Sequence, residues 1–308
     1  MLTRRRFIAI SAALAPSLTL AAPRIHVATG TALGARVTLR LDHPDAARLA
    51  AMAMAEINRL ERVFSLYLPD SALATLNRDG RLQAPPFELL ECLALAGTVH
   101  RASGGGFDPT VQPLWRAEAR ARESGQPLTE AERTIARGLI GWSGVALSTD
   151  EITLRPGMSL TLNGIAQGYI ADQVAHLLAR NGLTRALIDT GEMVALPDRS
   201  WPVSTAAGGN LDLRGRALAT SAPLGMTFGG DGRSSHILDP RTGHPAPPLW
   251  RSVSISAPSA ALADALSTAA CLSPDRTRME EMCASFPGAA IEAAEFAQIP
   301  PTRGVPPA

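Results

Sequence analysis

Apolar positions recur along this chain with two periods, and the switches between them mark its elements. His26 to Leu41 reads as a strand pair around Gly30 and Gly34, with Val37, Leu39 and Leu41 alternating at its end. The period then lengthens: Leu49, Met52, Ile57, Leu60 and Val63 fall along one side of a helix predicted from about Asp45 to Val63. After the exit Phe64-Ser65-Leu66-Tyr67, Asp70-Ser71 starts a short helix that closes near Asn77 and Gly80, and Pro85-Pro86 opens another that runs through His100. Ala117 to Arg137, rich in Arg and Glu, reads as a mostly helical, solvated excursion, and Gly141 to Leu162 returns in short strands.

The stretch from Ser159 to Gly182 organises the rest. Met158 to Leu162 alternates apolar and hydroxyl side chains as a half-buried strand does, whereas Ile165, Tyr169, Ile170, Val174, Leu177 and Leu178 follow at helical spacing, so the chain turns near Asn163-Gly164. Asn181-Gly182 ends that helix. Such a strand-to-helix corner leaves backbone N–H groups that a phosphate or a metal-bound anion can approach; a tight corner that binds nothing shows the same pattern. Arg185 to Thr190 then reads as a buried strand stopping at Gly191. Short runs from Trp201 to Phe228, broken by Gly208-Gly209 and Gly215, suggest an antiparallel sheet. Arg251 to Ala257 alternates as a strand, and Pro258-Ser259 starts a helix from Ala260 to Leu272. The expected fold class is α+β, a mixture of helices and sheet.

Composition narrows the setting. A chain of 308 residues, 46% of them apolar, fits one large domain or two intimately packed ones. All 29 basic residues are Arg and the formal net charge is +1, so no dense basic face for tracking nucleic acid is expected. Thr3-Arg4-Arg5-Arg6-Phe7-Ile8 followed by an apolar run to Leu20 and small residues at Ala21-Ala22 has the form of an export signal over residues 1–22. The Arg pair with Phe two residues on resembles the twin-arginine signal of bacteria, with an ordinary Sec signal as the alternative. Either predicts a soluble periplasmic product, since no Cys stands at the cleavage region for a lipid anchor. Residues 23–299 would then be the folded domain and Pro300 to Ala308 a Pro-rich tail. Cys92, Cys271 and Cys283 are odd in number and form no C-x-x-C pair, which points neither to a disulfide framework nor to a thiolate metal site.

Four places carry candidate chemistry. Gly104-Gly105-Gly106 leads into Phe107-Asp108-Pro109-Thr110; three glycines cost backbone entropy and pack nothing, so they read as a backbone laid against a ligand, or as a linker. Tyr67 precedes a Pro-containing loop and either packs it or stacks on a flat ring. His236 stands in a short strand just before the turn Asp239-Pro240-Arg241-Thr242-Gly243, as a structural group or a functional one. On the helix from Ala260, Asp264 and Thr268 are one turn apart in an Ala/Leu run with no basic partner nearby. A carboxylate there is costly to bury alone, and an oxygen-only pair suits Mg²⁺; a wet helix edge is the other reading.

The order of these motifs is more specific than any one of them. Phe64-Ser65-x-Tyr67 with Ser71 and Asn77, then Gly105-Gly106-Phe107-Asp108-Pro109, then Asn163-Gly164-Ile165-Ala166-Gln167-Gly168-Tyr169-x-Ala171-Asp172, then Ser235-His236-Ile237-x-Asp239-Pro240-Arg241-Thr242-Gly243, then Ala263-Asp264-Ala265-x-Ser267-Thr268 resembles the ApbE family of FAD:protein FMN transferases over nearly all of the chain after residue 22. The resemblance implies a larger and a smaller lobe with the FAD site between them. It also implies Mg²⁺-dependent transfer of FMN from FAD to a threonine hydroxyl of a periplasmic or membrane-anchored redox protein, with release of AMP. The accepting threonine would lie in a motif of the form Asp-x-x-Ser/Thr-small-Thr. Carried over by position, Asp264, Thr268, Ser267 and the Gly164 carbonyl would hold the metal, and Thr29, Tyr67, Gly106, Phe107, Asp108, Thr161, Gln167 and Leu238 would contact FAD. His236 is the candidate for positioning or deprotonating the threonine, with Asp264 the second catalytic group.

The chain departs from the family pattern in places. Thr161 stands where an acid is usual, Gln167 where Lys or Glu is common, Thr29 where Met is common, Glu192 where a second Gly would follow Gly191, and Ser221-Ala222 in place of Ser-Gly. These mark a divergent member and bear on FAD affinity more than on the metal site. A non-catalytic periplasmic FAD carrier and an Mg²⁺-dependent FAD pyrophosphatase giving FMN and AMP are the competing functions.

Overall fold

The computed structural model describes residues 25–205, 208–225, 234–247 and 249–297. The expected export signal and the Pro-rich tail lie outside the described residues. At the centre is a seven-stranded sheet whose strands pair in sequence order: His26–Ala32, Ala35–Leu41, Ala186–Asp189, Met193–Ala195, Arg216–Ser221, Trp250–Ala257 and Ala290–Phe296. Every neighbouring pair is antiparallel. Leu33 and Gly34, both at positive φ, form the two-residue turn of the first hairpin, whose backbone twist matches that of the flanking strands. The predicted alternation holds in the second strand, where Val37, Leu39 and Leu41 are buried.

Between Leu41 and Ala186, which face each other across the sheet, the chain makes its long helical excursion. Helix α1, Ala46–Phe64, buries Leu49, Ile57, Leu60 and Val63. Helix α2, Ala72–Asp79, starts where the Ser71 hydroxyl accepts from the Ala74 amide and ends at Gly80 in the left-handed region. Helix α3, Phe87–Ala102, leads into the three glycines. The predicted solvated excursion is two helices, α4 at Gln112–Glu123 and α5 at Glu130–Gly138. It is not wholly solvated: Glu118 is 3% exposed and takes a bond from Arg133 Nη1, which also donates to the Gly243 carbonyl at 2.7 Å. A small sheet of Arg81–Gln83, Glu151–Leu154 and Val145–Leu147 completes this smaller lobe. The two lobes share one core, since Leu89, Leu93 and Val99 pack in the same cluster as Val37, Ile57 and Ile170.

Met158 to Leu162 belongs to no ladder, contrary to the strand expected from its alternation. Asn77 replaces the missing partner strand: its Oδ1 accepts from the Leu160 amide at 2.6 Å and its Nδ2 donates to the Leu160 carbonyl at 2.8 Å. The Thr161 amide donates to the Pro109 carbonyl at 2.8 Å. Burial on both sides, at Met158, Ser159, Leu160 and Leu162, fits a tied crossing better than a half-exposed strand.

Helix α6, Ala166–Arg180, and helix α7, Ala260–Ala270, pack on each other beside the sheet, and α8, Arg276–Ala284, precedes the last strand. Gly168 permits the α6–α7 contact, because a Cβ there would lie 2.3 Å from the Ala260 carbonyl oxygen and 2.6 Å from the Ala261 nitrogen. One turn on, Asp172 accepts from the Ala260 amide at 2.7 Å and the Ala261 amide at 2.9 Å, fixing the start of α7.

Candidate active site

A cavity of about 380 Å³ opens between the lobes, lined by the glycine-rich loop, the Gly164 corner, α7, Glu192, the end of the Arg216–Ser221 strand and the segment around His236. Its size falls in the usual range for small-molecule sites. The loop wall is held rigidly. Gly104 and Gly105 take positive φ, the Ser103 hydroxyl accepts from the Phe107 amide at 3.0 Å, and His100 Nδ1 lies 2.9 Å from the Phe107 carbonyl oxygen. Asp108 Oδ1 accepts from the Thr110 amide at 2.8 Å and hydroxyl at 2.6 Å, while Thr110 in turn accepts from the Gly141 amide.

At the corner between the tied crossing and α6, a Cβ on Gly164 would meet Thr268 Oγ1 at 2.9 Å and Phe107 Cε2 at 3.3 Å. The bare backbone therefore keeps a gap between loop, corner and α7 open. Ile165 caps α6 without a side-chain bond, and Asp264 comes to this end of the helix, where the Gly168 amide opposes the rise of its pKa.

Asp264 is 3% exposed and its Oδ2 has no hydrogen-bond partner; Glu192 is 8% exposed and its Oε2 has none either. Burial pushes the Asp264 carboxyl well above the usual carboxylate range, and the Glu192 charge adds to it. Burial also pushes Glu192 up to about 8, with the Thr220 amide working against the shift and the Asp189 charge adding to it. Two unpartnered carboxylate oxygens in one cavity, with no Arg lining it among the described residues, would cost several kcal/mol if both were charged with nothing between them. A hard divalent cation would supply what they lack: Asp264 Oδ2, Thr268 Oγ1 and the Gly164 backbone offer oxygen ligation of the kind Mg²⁺ takes, with positions left for water and phosphate oxygens. The donor set present thus fits the cation.

Of the positions expected in the sequence, Gly106, Phe107, Asp108, Thr161, Gly164, Gln167, His236, Leu238, Asp264 and Thr268 all line this cavity. His236 does so from a bend, half-buried, ahead of the two-residue strand Leu238–Asp239, and not from within a strand as expected. That strand pairs with His244–Pro245 across the Asp239–Gly243 turn. Three positions stand apart. Ser267 does not line the cavity; its hydroxyl lies 2.7 Å from Ser221 Oγ and donates to the Asp264 carbonyl at 3.0 Å, and it is Ser221, 3.3 Å from Thr268 Oγ1, that faces the space. Thr29, opposite Thr38 in the outermost hairpin, and Tyr67, 77% exposed, lie outside the lining. Trp115 and Thr220 line the space without having been singled out, and Glu192 and Ser221-Ala222 stand out in the sequence only as departures from the family pattern. The available signal for Glu192 was an acid directly after a buried, Gly-terminated strand.

Among the described residues no helix is long and apolar enough to cross a membrane. A sequence profile of the ApbE family matches residues 33–291. The chain is 32% identical over 249 residues to an FAD:protein FMN transferase of Treponema pallidum, covering 69% of this chain and 68% of that one. It is 29% identical over 255 residues to one of Klebsiella pneumoniae, covering 72% and 74%. Its fold superposes on the apo crystal structure of the Pseudomonas stutzeri flavinyl transferase ApbE with a TM-score of 0.74 at 26% identity, covering 87% of this chain and 90% of that one. An ApbE protein from Thermotoga maritima superposes with a TM-score of 0.77 at 24% identity, covering 89% and 97%.

Proposed function

The chain belongs to the ApbE family, and from that membership we propose that it is an FAD:protein FMN transferase. The observation that carries the reading is the orphaned Asp264 Oδ2, buried in the same cavity as the Phe107-Asp108 loop and the Gly164 corner. Asp264, Thr268 and the Gly164 carbonyl would hold Mg²⁺. When bound, the cation neutralises charge that builds on the diphosphate of FAD.

The chain's own groups do the rest. Gly106, Phe107, Asp108, Thr161, Gln167 and Leu238 form the walls against which FAD is held. A cavity of this size takes only part of a dinucleotide, and Tyr67, with its ring in solvent, and Thr29 are proposed to meet the part left outside. His236, at the rim of the same space, orients the threonine hydroxyl of the acceptor and takes its proton. The threonine oxygen forms a bond to the FMN phosphorus while the bond from that phosphorus to the AMP phosphate breaks, so AMP leaves with the electron pair. The acceptor is a redox protein carrying the Asp-x-x-Ser/Thr-small-Thr motif. The Arg-rich start and the apolar run after it support export, with the reaction in the periplasm.

Purified protein mixed with FAD, Mg²⁺ and a fragment bearing the threonine motif tests this by mass spectrometry. The expected result is one FMN per fragment on the threonine, with AMP released in equal amount. FMN and AMP free in solution with no adduct would make the protein a pyrophosphatase; FAD bound and intact would make it a carrier.

A further inference from the structure

We propose that Glu192 is a second carboxylate ligand of the divalent cation, sharing it with Asp264. The proposal rests on the metal reading of Asp264 above and adds to it a residue from another element. Glu192 follows Gly191 in the turn between the Ala186–Asp189 and Met193–Ala195 strands, whereas Asp264 comes from the middle of α7. Sheet pairing brings them to one cavity, because Met193–Ala195 pairs with Arg216–Ser221, on which α7 packs.

Both side chains are more than nine-tenths buried, both line the cavity, and each keeps one oxygen without a partner. Among the described residues, the contacts opposing the cost of their burial come from the Gly168 amide for Asp264 and the Thr220 amide for Glu192. What remains without a hydrogen-bond partner on each is one buried carboxylate oxygen, on residues that line the same cavity. A cation is the partner that satisfies both at once, and two carboxylates give it a hold that does not wait for the phosphates of a nucleotide. The cation then occupies the site in FAD-free protein and is already in place when FAD enters.

Mn²⁺ binding to the full chain without FAD, followed by the loss of the free-ion EPR signal, tests this in wild type, Glu192→Gln and Asp264→Asn. Circular dichroism verifies that each variant is folded, and Glu192→Asp serves as a shortened carboxylate that retains the charge. The expected result is one tight Mn²⁺ per chain in wild type and at least tenfold weaker binding in both Glu192→Gln and Asp264→Asn, with part of the affinity kept by Glu192→Asp. Addition of Mn²⁺ should raise the melting temperature of wild type by mass action and leave that of Glu192→Gln unmoved. Wild-type affinity in Glu192→Gln with loss in Asp264→Asn would overturn the role of Glu192 and leave the Asp264 reading standing. Unchanged affinity in both variants would overturn both.

Discussion

Helices α6 and α7 carry two acids whose fates are opposite. Asp172, partly buried, spends both oxygens on the Ala260 and Ala261 amides, and the Ser259 hydroxyl adds a third bond. Asp264, further along α7 and almost wholly buried, leaves Oδ2 with nothing. The first acid holds the fold together by closing a helix start. The second is held by the fold at a cost, and a cost retained inside a cavity points to a ligand. Asp264 is the more deeply buried of the two, but depth alone does not mark a functional acid, since Glu118 is as deeply buried and is satisfied by Arg133. The missing partner does.

The largest effect is expected from Asp264→Asn, which should lower flavin transfer by about 10²–10³, the size seen when a key electrostatic group is lost. Its thermal midpoint should hold or rise, because the repulsion between the Asp264 and Glu192 carboxyls is removed; unaltered transfer in steady-state kinetics would equate Asp264 with Asp172. Gly168→Ala comes next: with backbone atoms at 2.3–2.6 Å from the added Cβ, the helices must part, and chemical denaturation should show a loss of about 3 kcal/mol. By contrast Gly164→Ala, whose Cβ meets the end of the Thr268 side chain, should fold and yet bind FAD more weakly. Asp172→Asn should cost about 1–2 kcal/mol by turning an amide toward an amide, with transfer retained in the folded fraction.

The last effect is on stability alone and comes from pH. Glu192 sits at about 8 in the folded chain against an ordinary value of 4.5, so the folded state keeps a proton that the unfolded state has lost. That contribution to stability is fully present below about 4.5 and is lost as pH rises through 8. Metal-free protein should thus show a melting temperature that falls as pH rises across this window. Glu192→Gln should flatten the slope; a slope of the opposite sign would show that the carboxyl is not buried as described.

Much of this was legible in the sequence because it depends on local periodicity. The stripe Leu49, Ile57, Leu60, Val63 gave α1 to within a residue at each end, and the Ala/Leu run around Asp264 already marked a carboxylate in need of a partner. What failed depends on groups distant along the chain. Met158 to Leu162 has the alternation of a strand, but its backbone is satisfied by the side chain of Asn77, 83 residues from Leu160. Glu118 reads as a solvated charge until Arg133 folds back from the next helix to cover it. Glu192 reads only as a departure from Gly until sheet pairing delivers it to the cavity that Asp264 also lines. Ser267 carries the right chemistry at the right spacing, yet its hydroxyl is turned to Ser221.

On the reading proposed above, the unpartnered oxygens of Asp264 and Glu192 wait for a cation that grips the diphosphate of FAD. Crystals grown with FAD and Mn²⁺, measured at the manganese edge, test it directly. The expected result is an anomalous peak within bonding distance of Asp264, Thr268 and Glu192 oxygens, with the diphosphate on its open side and the Gly164 backbone beside it. A peak elsewhere, or FAD bound in the cavity with both carboxylates still facing empty space, would contradict it.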